Sequence, residues 1–488
     1  MRPPSPFRTA AMVSVVLVAV AAIAGAMLHR ETLDTWMRGE SDFLGKRRWE
    51  PPHPVDRAVL RRIDLDRVHA RLWPRWTMAL SRSNRVADDP TVRLAFRELR
   101  TEAGKDANLA ALLDELDRRT RQGVGENAER VLFLTWAWSD YLDRAGFAWR
   151  IDASIRRHQD GAIVYATTYR GLADVAVRVG ERDYRARLFR RADRTNVVEL
   201  YLGQASTADE GAIVVLDRVR DLAMEDIWPM LDAANDDGLD PLARAYASEI
   251  RREAAAAIPA REMNALRATA RARAAMEKAR QAVRTRYREC ESGFTIGQLP
   301  WSGLDERWRR RIRAMGRAAV PEDVCPKVTP DEAEALAAGS ESMVRTPDVH
   351  RALAALVAWL ARSVVAHEAR HVADDDAVGI AEPLDCDGCP DWMDATSRAE
   401  MSAFLASFAT SGLGYTSLYV ACHETRSTRG PHATAMSIVA GRLGAHTCTR
   451  GPAPRRLYDR ASDLERTLLG RSDPVVLPRS FPPRVWLE

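Results

Sequence analysis

Apolar residues recur at intervals of three and four over about 55–146, which is the spacing of amphipathic helices that bury one face. The interval then shortens to two, in short runs of β-branched and aromatic residues. These runs predict a small, mostly antiparallel sheet over 147–217, with a hairpin at Gly180. Helical spacing resumes at Leu216 and continues to about Arg288.

A further helix is predicted to begin at Thr346, where an N-cap residue is followed by Pro347 and Asp348 in the first turn. Over 352–366 only Arg362 is charged. A helix that is apolar on nearly all sides is usually buried, so we expect this one to lie in a core. The arginine and the alanine-rich composition argue against a membrane span.

The N-terminus contains an uncharged run of 20 residues, 9–28, preceded by Arg2 and Arg8. This length matches the hydrocarbon core of a bilayer, and basic residues before a span favour an inside start. The run predicts contact with a lipid bilayer through an uncleaved signal-anchor, with the rest of the chain outside the cytoplasm. The alternative is secretion after signal-peptide cleavage near Ala26, because AGA has the A-x-A form.

Composition narrows the class of protein. The chain has 488 residues, is 46% hydrophobic and 29% charged, and has a net charge of +4, which indicates a globular protein and gives no reason to expect nucleic-acid binding. The helix predicted over 261–289 carries nine Lys or Arg and three Glu. It is interpreted as a solvated face, and contact with anionic lipid or envelope polymer is the alternative.

These patterns predict an α+β fold that is mainly helical. The predicted segments are a membrane helix at 1–28, a stalk at 29–55, a helical region at 56–146, a small β domain at 147–217, a basic helical region at 218–345 and a catalytic domain at 346–488.

Six cysteines lie in the last 200 residues, an even number that suits an exported protein with disulfides. The sequence does not determine their pairing. A structural zinc site or a redox pair at the CDGC motif remains an alternative to a disulfide there. The six are Cys290, Cys325, Cys386, Cys389, Cys422 and Cys448.

The motif HEARH ends the buried helix. His367 and His371 are four residues apart, so both imidazoles project from one helix face and can share one metal ion. Glu368 lies about 100° further round the helix, beside that position rather than on it. There its carboxylate can act as general base toward a zinc-activated water. The pattern therefore predicts a zinc-hydrolase site.

HEARH resembles the motif of the zincin metallopeptidases, which implies His367 and His371 as zinc ligands and Glu368 as base. The metzincin subclass is not matched, because Asp374 and Ala377 replace its Gly and His. The gluzincin pattern takes a Glu from a second helix, and Glu400 has the required spacing. Zincins also pair this helix with a sheet. No clear strands are predicted between Glu291 and Thr346, so packing of the sheet at 147–217 on the HEARH helix would strengthen the resemblance.

Glu400 has a second interpretation, because Ser397 and Glu400 form the S-x-x-E pattern of a capping box. Its position one turn before Phe404, on an apolar face, favours the ligand role. Other acids are available as the third ligand, namely Glu382, Asp385, Asp387, Asp391, Asp394 and Glu424.

Further residues are candidates by type. Asp374, one turn beyond His371, could accept a hydrogen bond from a ligand ring. Tyr415 and His423 could stabilise the transition state, and Tyr419 and His432 belong to the same set.

The sequence thus predicts a membrane-anchored extracytoplasmic zinc metallopeptidase that uses one zinc ion and acts on a peptide or protein substrate. Two alternatives stay open. One is a non-enzymatic envelope scaffold with a chance HExxH motif, and the other is a zinc hydrolase of a non-peptide bond.

Overall fold

The fold is known from a computed structural model, which describes residues 49–82, 89–158, 161–193, 202–205, 211–289, 330–379, 382–426, 430–444, 447–449, 452–478 and 481. The predicted membrane helix at 1–28 and most of the stalk lie outside these residues.

The N-terminal part is helical, as its spacing predicts. Its helices are α1 (Arg57–Leu60), α2 (Leu65–Arg67), α3 (Trp73–Arg82), α4 (Pro90–Ala103), α5 (Ala107–Arg121) and α6 (Ala128–Arg144), with a π-helical turn at Val68–Leu72. They enclose a core rich in tryptophan, which includes Trp73, Trp76 and Trp138. Trp149, Ile151 and Ala166 of the sheet complete this core, so it joins the helices to one end of the sheet.

The sheet has the strand order β1-β2-β3-β5-β4, and β6 pairs with β2 beside this path. Its strands are β1 (Trp149–His158), β2 (Gly161–Val179), β3 (Arg182–Arg191), β4 (Gly203–Ala205), β5 (Ala212–Val215) and β6 (Val475–Val476). The predicted hairpin at Gly180 is present, since Val179 pairs with Arg182 and the glycine has a φ of 58°. A residue without a side chain adopts this left-handed conformation without strain.

The sheet is mixed rather than purely antiparallel, because β3 and β5 run parallel while the other pairs are antiparallel. The chain does not turn directly from β3 into β5. It first forms β4, which folds back on β5 and occupies the end of the strand order.

Helices make up most of the remaining described chain. They are α7 (Leu216–Leu222), α8 (Trp228–Met230), α9 (Pro241–Ala257), α10 (Ala260–Glu289), α11 (Pro330–Arg345), α12 (Pro347–Val378), α13 (Ala395–Ala409), α14 (Gly414–Thr425), α15 (Pro431–Leu443) and α16 (Leu457–Leu469), with a π-helical turn at Ala223–Ile227 and a 3₁₀ turn at Ala233–Gly238.

Helix α12 lies at the centre of the second core. Its apolar residues share one cluster with strands β2, β3 and β5 and with the helices that follow the sheet. The sheet therefore packs on the HEARH helix. A continuous core also crosses the predicted boundary at 217/218.

Helix α12 begins where the sequence predicts, with Pro347 in its first turn, although the Thr346 side chain makes no capping hydrogen bond. Among the described helices, α12 alone has the length and apolar composition of a membrane span, and 72% of its most apolar window is buried in the protein. It has the burial of a core helix. At its C-terminal end, the hydroxyl of Tyr184 on β3 donates to Asp376 at 3.0 Å, which fastens the sheet to the helix.

Candidate metal centre

The two histidines of HEARH and Glu400 converge on one point. His367 and His371 project from the same face of α12, and Glu400 projects toward them from α13. Glu400 Oε2 lies 3.3 Å from His367 Nε2 and 3.5 Å from His371 Nε2, and the two ring nitrogens lie 3.2 Å apart. Within the described ranges, this is the one group of three or more metal-ligating side chains whose ligand atoms lie within 4.8 Å of one another.

The chemistry of this group fits a zinc ion. Two imidazoles and one carboxylate are the three protein ligands of a common type of catalytic zinc site, which leaves a position open. Glu400 is 7% exposed, and its Oε2 is buried without a hydrogen-bond partner. A buried carboxylate oxygen without a partner is costly, and a bound cation would remove that cost.

Glu400 supplies the negative charge of the group. Burial raises the pKa of Glu400, but the positive charge of His371 and the proximity of His367 outweigh it and hold this pKa well below its usual value. Burial lowers the pKa of His371, but the charge of Glu400 opposes it and raises the pKa to about 9. Glu400 therefore stays ionised, which is the form that binds a metal.

The ring of His367 is oriented by a backbone group. It donates a hydrogen bond to the carbonyl of Ala403, one turn after Glu400 on α13, while its Nε2 faces Glu400. Burial nevertheless lowers the pKa of His367, which favours the neutral ring that ligates metals. A carbonyl behind a ligating histidine is a frequent arrangement at zinc sites. The sequence could not indicate this acceptor, because every residue has a carbonyl.

Glu368 lies beside the group and is held by the edge of the sheet. It is 8% exposed and accepts the backbone N–H of Ala205 on β4. Burial raises the pKa of its carboxyl to about 7. A group that exchanges a proton near neutral pH can work as a general base there.

The close approach of β4 to α12 depends on Gly203. A Cβ at this position would lie 2.6 Å from Glu368 Cγ and 2.8 Å from Val364 Cγ1, distances that real Cβ atoms do not adopt. The absent side chain lets the strand come near enough for Ala205 to reach Glu368. Sequence reasoning missed both residues, and the glycine within a strand was the available signal.

The capping-box interpretation of Ser397 and Glu400 is wrong. Helix α13 begins at Ala395, and its N-cap is Asp394, whose carboxylate accepts the N–H of Ser397 at 2.7 Å. Ser397 therefore lies inside the first turn, and the Glu400 side chain is directed to the histidines instead.

Asp374 does not accept a hydrogen bond from a ligand ring. Its carboxylate is taken by two arginines, with Arg370 Nε at 2.9 Å and Arg471 Nη2 at 2.6 Å. Arg370 is fully buried and also lies 2.9 Å from Glu465, so Asp374 belongs to an ionic network that joins α12 to α16. Its charge still contributes to the raised pKa of His371.

Tyr415 and His423 are directed to other partners. The Tyr415 hydroxyl donates to the carbonyl of Pro454 at 2.9 Å, and its backbone N–H donates to Glu253 at 3.0 Å. His423 Nε2 lies 3.8 Å from Asp226. His432 is the downstream residue that the structure brings to the metal group, with its Nε2 at 3.1 Å from Glu400 Oε1.

The cysteines of the described chain form two disulfides, Cys386–Cys389 and Cys422–Cys448. The first lies in the segment between the two ligand helices, and the second fastens α14 to the segment after α15. Neither pair has thiolates free for a structural zinc. Cys290 and Cys325 lie outside the described residues.

No family model matches the chain, and comparisons with curated proteins and with solved structures find no match.

Proposed function

We propose that the chain is a zinc-dependent metallopeptidase of the gluzincin type, with His367, His371 and Glu400 as zinc ligands and Glu368 as general base. One observation carries the proposal. The unpartnered oxygen of Glu400 and the two imidazole nitrogens face one point, and the buried carboxylate of Glu368 lies beside them. A chance HExxH motif has no reason to recruit a third ligand from another helix.

The three ligands and Glu368 have different chemical roles. A zinc ion held by the three side chains would supply a Lewis acid that polarises a carbonyl and lowers the pKa of a water molecule. The carboxylate of Glu368 would serve as general base toward water and could return the proton to the departing amine. The N–H of Ala205 holds the Glu368 carboxylate in place during both steps.

The position of β4 favours a peptide over a non-peptide substrate. This strand ends the strand order of the sheet, and no described strand pairs with its outer edge. An extended peptide can add to such an edge through main-chain hydrogen bonds. Because the same strand contacts Glu368, a peptide bound there would pass close to the base.

An extracytoplasmic location of the described chain is part of the proposal. Its two disulfides persist in an oxidising compartment and are rare in the cytosol. The uncharged run at 9–28 is proposed as the export signal and as the contact with the lipid bilayer.

The test is zinc content together with peptide hydrolysis. The wild-type chain is expected to purify with about one zinc per molecule and to cleave unstructured peptides, whereas His367→Ala loses both. His350→Ala is the matched control, since it removes a histidine from the same helix, where the ring contacts the carbonyl of Val344 at 3.2 Å. A wild-type chain without zinc would refute the proposal. Zinc without peptide cleavage would favour a non-peptide substrate.

Tyr415→Phe is expected to leave the rate of hydrolysis unchanged and to lower the free energy of unfolding by about 1–2 kcal/mol, because it removes the hydroxyl that donates to the Pro454 carbonyl and accepts the N–H of Leu457. Denaturant unfolding and a hydrolysis assay measure the two effects. A large loss of rate at full zinc content would instead place the hydroxyl at the reacting groups.

A further inference from the structure

His432 contacts the metal group from the solvent side. It lies in the first turn of α15, directly after Pro431, and its side chain is 61% exposed. Its Nε2 is 3.1 Å from Glu400 Oε1, and its ring lies edge-on to that of Phe404 with the centroids 6.2 Å apart. An exposed histidine could adopt several rotamers, so its contact with a buried carboxylate calls for an explanation.

The two oxygens of Glu400 have different surroundings. Oε2 faces His367 and His371 and has no hydrogen-bond partner, whereas Oε1 faces His432. A carboxylate can rotate about its last bond and exchange its oxygens, or turn both toward a metal. A donor on Oε1 opposes that rotation and leaves Oε2 directed at the ligand position.

We infer that His432 is a positioning residue, which donates a hydrogen bond from Nε2 to Glu400 Oε1 and so fixes Glu400 as a ligand through Oε2 alone. The inference rests on the proposed function, because it assumes that Glu400 binds the metal. His432 is not a fourth ligand itself. The compact group of ligand atoms comprises His367, His371 and Glu400 and does not include it.

The expected effect is on metal affinity rather than on folding. An exposed side chain contributes little to the core, so its loss leaves the fold intact. Partners that orient a ligand typically change metal affinity by about 10–100-fold. This range lies below the loss expected when a ligand is removed.

The experiment measures zinc affinity by competition with a chelator for the full chain and four variants, of which Glu400→Ala gives the loss expected when a ligand is removed. His432→Ala is expected to weaken zinc binding about 10–100-fold, and His432→Gln is expected to recover most of the loss, since its amide can donate to the same oxygen. Ser437→Ala, which removes an exposed polar group from the same helix, is the control and should bind as the wild type does.

Three outcomes would overturn the inference. Equal zinc affinity in His432→Ala and wild type would show that the contact does not position Glu400, even if hydrolysis falls. A loss as large as that of Glu400→Ala, without recovery in His432→Gln, would make His432 a ligand. If the wild type itself binds no zinc, the proposed function fails first and takes this inference with it.

Discussion

Glu368→Gln is expected to lower peptide hydrolysis by about 10²–10⁴-fold while zinc content and fold stay unchanged. The amide has the size and shape of the carboxylate, and its oxygen can still accept the N–H of Ala205. It cannot accept a proton from water, so only the acid–base step is lost. Zinc analysis, thermal unfolding and a hydrolysis assay on the same preparation separate these properties.

The matched control for this change is Glu382→Gln. It makes the same chemical substitution at an exposed position of the segment between α12 and α13, and should keep full activity. If Glu368→Gln cleaved peptides at the wild-type rate, Glu368 would not be the base and the interpretation of HEARH as a hydrolase site would be wrong.

Glu400→Ala is expected to lower zinc affinity by more than about 100-fold, beyond the range of residues that only orient a ligand. The reason is that two imidazoles remain where three ligands converge. The variant should also lose the rise in melting temperature that zinc gives to the wild type, because a metal stabilises the folded state only as far as it binds that state.

Asp394→Ala provides the control on the same helix. It removes the N-cap, which accepts the N–H of Ser397, and is expected to cost about 1 kcal/mol of stability with zinc retained. Metal analysis after dialysis against a weak chelator compares the two variants. Equal zinc in both would exclude Glu400 as the third ligand.

The structure brings His367, His371 and Glu400 together as the sequence predicted, and their role as metal ligands stays a prediction. The spacing of His367 and His371 on one helix follows from helical periodicity, and the apolar face of α13 indicated the direction of Glu400. The cap of α13 was not predicted, because both Asp394 and Ser397 are good N-cap residues and the choice depends on where the preceding loop ends.

The parts that were not predicted depend on contacts between distant segments. Residue type made Tyr415 a candidate, but the carboxylate of Glu253 on α9 accepts its backbone N–H at the start of α14. A period of two identified the strands but not their order, so the parallel pairing of β3 with β5 could not be derived. For the same reason, nothing in the sequence connected β4 with Glu368.

The contact between β4 and Glu368 joins segments that lie far apart along the chain, unlike the other contacts of the site. The side chains around the proposed metal position come from α12, α13 and α15, which follow one another closely along the chain. The hydrogen bond to Glu368 comes from β4, which lies far earlier in the chain, so this contact closes a long stretch of sequence. Long loops cost more entropy to close, and edge strands are among the first elements to open locally. If the proposed function is correct, metal retention and alignment of Glu368 are therefore expected to depend on different contacts, the first on α12, α13 and α15 and the second on β4. On the proposed function, a transient opening of the sheet edge is expected to stop hydrolysis without releasing the zinc ion.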